Sequence, residues 1–62
     1  MMKSVKEKIK IALENVDDAI SLLREVARED RKYAPLLEDT IYYLEEAGEA
    51  LNEVLEQEAD EN

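Results

Sequence analysis

The stretch REDRKYAPLLED, residues 28–39, decides the shape of this chain, and it contains the only proline and no glycine. Either the chain turns back here or one long helix bends. Arg28, Arg31 and Lys32 gather where a preceding helix would end, matching the negative end of its dipole. Pro35 suits the first position of a following helix, where the missing N–H would find no partner anyway. Glu38 and Asp39 then stand close to the positive end of that second helix. Ala34, directly before proline, is disfavoured in helical angles. Basic before and acidic after a proline is the pattern of one helix stopping and another starting.

On either side of this stretch the apolar residues recur with a heptad period. With Ile9 at position a, the a positions read Met2, Ile9, Val16, Leu23, Asp30, Leu37, Leu44, Leu51 and Glu58. Position d reads Val5, Ala12, Ala19, Val26, Tyr33, Thr40, Ala47, Val54 and Glu61. Position e adds Leu13, Ile20, Ala27, Ile41, Gly48 and Leu55, and in the second half position g adds Leu36, Tyr43 and Ala50. Three apolar positions in seven is the wide face of a globular bundle; a bare coiled-coil seam needs only a and d. The frame runs unbroken through Pro35, which is also what a single long kinked helix in a coiled coil would show, so that fold is the alternative. The local signals predict an all-α antiparallel hairpin: helix 1 over about 4–30, started by Ser4 and Glu7 as a capping box, a turn at about 31–34, helix 2 over about 35–57, and a frayed acidic tail at 58–62.

A turn near residue 33 sets Ala19 against Ala47, Val26 against Thr40 and Ala12 against Val54. Small residues then meet at mid-hairpin, and Gly48 permits close approach there or marks a local kink. One hairpin would leave Leu13, Ile20, Ile41 and Leu55 in water, so the expectation is a homodimer forming a four-helix bundle. Its core would draw on Ile9, Leu13, Val16, Ile20, Leu23, Ile41, Leu44, Leu51 and Leu55. A chain of 62 residues is marginal as a lone domain, and without cysteine it has no disulfide to compensate.

Composition excludes most chemistry. There is no Cys and no His, so zinc sites and Cys- or His-based nucleophilic catalysis have no ligands or base. Glu14, Asp17, Asp18, Glu45, Glu46, Glu49, Glu53 and Glu56 all fall at the outer positions b, c or f, where a carboxylate stays solvated and lacks the burial that acid–base work needs. One glycine cannot build a phosphate loop. The expectation is a protein that is not an enzyme and uses no metal or cofactor. No clean apolar run follows MMKSVKEKIK, and no stretch approaches the ~20 residues that span a bilayer, so a cytoplasmic protein without membrane contact is expected.

Charge divides at the same place as the shape. Residues 1–34 hold all 8 basic residues against 7 acids; residues 35–62 hold 10 acids and no base, within a net charge of −9. Two basic clusters stand at the ends of helix 1, Lys3, Lys6, Lys8 and Lys10 at one and Arg24, Arg28, Arg31 and Lys32 at the other. The hairpin sets the lysines beside the acidic tail and the arginines near Glu38 and Asp39, so self-neutralisation is expected and nucleic acid is not the expected partner.

A chain of this length, with a hairpin, a dimeric bundle and an acidic tail, resembles the Rop family of plasmid-encoded RNA-binding proteins. The likeness spans the whole chain and is architectural, with no motif matched residue by residue. It implies RNA binding along helix 1 as the alternative function, although Glu14, Asp17 and Asp18 in mid-helix would repel phosphate. Tyr33 at a d position is expected to cap the core, Tyr43 to edge it, and Tyr42 at f to be the most exposed large side chain. An aromatic on an acidic face has the composition of a protein contact, or is a lone surface tyrosine. The leading expectation is a regulator or adaptor that binds a basic protein partner through Tyr42, Glu45, Glu46, Glu49 and Glu53. A purely structural oligomerisation unit is a third reading.

Overall fold

The computed structural model describes residues 4–59, and side chains over 4–57. The chain is all-α: α1 (Val5–Glu29), a single 3-10 turn (Arg31–Tyr33) and α2 (Ala34–Ala59) fold back as a hairpin of 47 × 24 × 11 Å. Two helices make one layer, whereas ordinary domains close a core between two.

α1 starts where its first donors find an acceptor. Ser4 has extended angles, and its Oγ accepts from the Glu7 N–H at 3.0 Å. Ser4→Ala removes that acceptor. It is expected to cost about 0.5 kcal/mol, the low end for an exposed cap, read as a lower urea midpoint by circular dichroism.

The helix ends at Asp30, which is extended at φ −137° and ψ 100°. Its carboxylate accepts from the Lys32 N–H at 3.3 Å and lies 4.0 Å from the Lys32 ammonium. Short acidic side chains that bond the backbone just ahead compete with helix in this way. The turn is closed by Tyr33 N–H donating to the Asp30 carbonyl at 3.0 Å. Ala34 departs from the expectation for a pre-proline residue: it is helical, at φ −54° and ψ −53°, and opens α2. Its N–H donates to the Arg31 carbonyl, so the 3-10 turn already holds it in place. Pro35 is therefore the second residue of α2, still inside the first turn, where it forfeits no hydrogen bond. At the other end α2 continues through 58 and 59, two residues past the expected end at 57; Glu and Ala both propagate helix well. The rest of the expected frayed tail, 60–62, lies outside the described residues.

The seam between the helices runs along positions a and e. Ile9, Leu13, Val16, Ile20, Leu23 and Ala27 on α1 meet Leu37, Ile41, Leu44, Gly48, Leu51 and Leu55 on α2. All are half-buried except Ile20 and Gly48, which are buried. Their spacing alternates four and three, which is itself a heptad seam. This corrects the expected pairing in two ways. Leu13, Ile20, Ile41 and Leu55 are not left in water by the single hairpin, and Ala12, Val26, Thr40, Ala47 and Val54 are exposed instead of facing one another. The reason is size. Two helices can cover only part of a face three positions wide, and the leucines and isoleucines at e remove more apolar area from water than the alanines, valines and threonine at d.

Successive residues turn about 100° around a helix, so joining a and e puts positions b on one side of the seam and positions d and g on the other. In an antiparallel pair the same positions of both helices fall on the same side. The hairpin therefore has a polar side at b and an apolar side at d and g. Leu36, Tyr43 and Ala50 at g are all exposed, contrary to the expected widening of the buried face in the second half.

Candidate partner-binding surface

Asp39, Tyr42, Glu46, Glu49, Glu53 and Glu56 are spaced three and four residues apart, so they form one ridge of α2. The ridge occupies positions c and f, turned away from α1, and every member is exposed. Seventeen residues of rise make it about 26 Å long. No basic residue stands in the sequence beyond Lys32, so nothing on α2 itself neutralises these carboxylates.

Of the five residues expected to contact a partner, Tyr42, Glu46, Glu49 and Glu53 lie on this ridge. Glu45 does not. It is half-buried on the polar side of the seam, where its carboxylate pairs with the Arg24 guanidinium across the hairpin. Asp39 and Glu56 belong to the ridge as well, and the repeat of three and four through 39–56 is the signal for them.

Tyr42 is 56% exposed and meets the Tyr43 ring edge-on, with centroids 5.6 Å apart. It is not the most exposed large side chain, because Val5 and Leu36 reach 70% and Tyr43 66%. Tyr43 therefore does not edge the core of the single hairpin, since position g points away from the seam. Tyr33 is exposed in the turn, 5.4 Å from the Lys32 ammonium, rather than sealing the end of the core.

On the polar side an open groove of about 460 Å³ runs over Leu13, Ile20 and Gly48. Its walls carry Asp17, Ser21 and Arg24 from α1 and Glu45, Glu49 and Asn52 from α2. Three carboxylates and one guanidinium, already paired, form a solvated polar rim. Ser21 in the same wall makes no side-chain hydrogen bond to a carboxylate among the described residues. Among the described residues no group of three or more carboxylates gathers as metal ligands, and no helix is long and apolar enough to cross a membrane.

The basic clusters of helix 1 separate in the structure. Arg24 is engaged by Glu45 and not, as expected, by the acids at the start of α2; no ion pair to Glu38 or Asp39 forms among the described residues. Lys6, Lys8 and Lys10 are exposed near the start of α1, and Lys3 lies outside the described residues. Glu14, Asp17 and Asp18 stand exposed between the two clusters, which interrupts any basic track along α1.

Compared with models of protein families, with curated proteins and with solved structures, the chain matches none.

Proposed function

We propose that this chain is a small acidic helical-bundle protein that acts through protein–protein contact, a regulator or adaptor whose α2 ridge binds a basic partner. In this reading two hairpins assemble as a four-helix bundle and present a ridge on each outer flank. The observation that carries it is the exposed run Asp39, Tyr42, Glu46, Glu49, Glu53 and Glu56, on a segment with 10 acids and no base. A row of like charge on one helix repels itself, so a cationic partner relieves repulsion as well as gaining attraction. Tyr42 gives the row an apolar anchor of the type enriched where proteins meet.

A basic helical peptide of about 25 residues, with Lys or Arg along one face, is the probe. The expected result is binding that weakens steeply as salt rises through the physiological range, where charges farther apart than about 8 Å are screened. Replacing Glu46, Glu49 and Glu53 with Gln is expected to weaken it at least tenfold. Glu45 is left unchanged because its loss would break the pair with Arg24. Equal binding by the triple variant overturns the proposal. So does preferential retention of a structured RNA over the peptide in dilute buffer, which would instead favour the Rop-like reading.

A further inference from the structure

We propose that the d/g side of the hairpin packs against the same side of a second copy about a two-fold axis at the level of Ala19 and Ala47, laying α1 antiparallel on α1 of the second copy and α2 on α2. This rests on the two-hairpin reading above and specifies which face assembles and in which register.

Of the nine large hydrophobic side chains exposed in the hairpin, Tyr33 stands in the turn and six of the eight on the helices lie at d or g: Val5, Val26 and Val54 at d, and Leu22, Leu36 and Tyr43 at g. They share one side of the seam, so they form one face. The chain exposes 5178 Å². A compact monomer of 7.2 kDa is expected to expose about 4,100 Å². The excess of about 1,000 Å² reflects a hairpin one layer thick, and covering one face of it with a standard ~800 Å² per partner would bring the chain close to ordinary exposure.

A second copy suits this face better than a basic partner does. The chain carries a net charge of −9, yet over residues 5–57 the d and g positions hold only two charged residues, Lys8 and Glu29. The face is neutral, so two strongly acidic chains can meet there without like charges at the centre. It also offers a cationic partner nothing that the α2 ridge does not offer better.

Lys8 and Glu29 also select the register. Lys8 stands eleven residues before Ala19 and Glu29 ten residues after it. A two-fold axis at Ala19 therefore sets Lys8 of each copy against Glu29 of the other. Val16 and Asp17 lie within 4.0 Å of where a Cβ on Gly48 would stand, and Arg24 pairs with Glu45; together these put Ala47 near the level of Ala19 in the hairpin, so one axis crosses both helices. Small alanines at the crossing let the layers approach. Away from it Val26 meets Ala12 and Tyr43 meets Ala50, and at the ends Val5 meets Tyr33. The other face-to-face two-fold runs along the helices and stacks α1 on α2 of the second copy. That arrangement would set Glu29 against Leu36 and Lys8 against Gln57, leaving both charges unmatched.

The chain has no cysteine, so single-cysteine variants report the arrangement directly. Sedimentation of the wild-type chain is expected to give a dimer. Ala19→Cys alone and Ala47→Cys alone are each expected to form a disulfide-linked dimer under mild oxidation, because each residue meets its own copy across the axis. If the wild type is a dimer and links form only when the two variants are mixed, this arrangement is overturned while the two-hairpin reading stands. A monomer, or an assembly larger than a dimer, overturns both. Independently, Lys8→Glu is expected to raise the dimer dissociation constant about tenfold, and adding Glu29→Lys to restore it to within about threefold. Failure of the second change to restore dimerisation overturns the register.

Discussion

Ile20→Ala is expected to lower the free energy of unfolding by about 2–4 kcal/mol, the cost of deleting buried methylenes that the surroundings cannot fully collapse around. Ile20 is 7% exposed and is the one buried large side chain among the described residues. It forms the floor of the groove together with Leu13 and Gly48, at the middle of the seam. A chain of this size has only about 3–9 kcal/mol of total stability at the usual allowance per residue. The substitution should therefore remove about a fifth of it or more. Urea unfolding followed by circular dichroism checks this, with Glu14→Ala on the exposed face as a control expected to move less than about 0.5 kcal/mol. A loss no larger than the control's would mean that the seam does not depend on its centre.

Gly48→Ala is expected to act in the opposite direction and raise stability by up to about 1 kcal/mol, which is a rise of roughly 4–8 °C in Tm for a small domain. Glycine inside a helix costs backbone entropy that alanine does not. Gly48 has no positive φ, so alanine adopts its conformation without strain. A Cβ built there would lie 3.8 Å from Leu13 Cδ1, 3.8 Å from Val16 Cγ1 and 4.0 Å from Asp17 Oδ1. Those are ordinary van der Waals distances, so the added methyl gains contacts and displaces nothing. The residue that looked like a device for close approach is not required by the packing inside the hairpin. A fall in Tm measured by thermal melting would show that α1 and α2 come closer in solution than these distances allow.

The two central residues illustrate how much of the fold could be read in advance. Two helices and a turn near residue 33 follow from local signals alone: the cap at Ser4, the basic residues before Pro35, and the unbroken apolar period. The element that breaks α1 was harder to identify. Proline is the usual helix breaker, yet the chain leaves the helix at Asp30, four residues before Ala34, the position that Pro35 disfavours. Asp30 interrupts the apolar row at a, and its carboxylate bonds to the backbone ahead of it. The interruption was visible in the sequence, but the hydrogen bond that turns it into a stop was not. The candidate surface was legible in the same partial way. Tyr42, Glu46, Glu49 and Glu53 are outward by period alone, whereas the capture of Glu45 by Arg24 depends on how the two helices are offset, which no single-helix pattern contains.

The sequence by itself determined the helices, their length to within two or three residues, the division of charge at residue 34 and the placement of the acids other than Glu45 on the outer face of α2. These depend on neighbours within four residues, where period, capping and propensity act. Only the tertiary structure decided which two of three apolar positions join the helices. Positions a, d and e are all apolar, and one partner helix can cover only two of them. The larger side chains at e settled that competition through the area they remove from water, leaving the d/g side as the face that a second copy would cover.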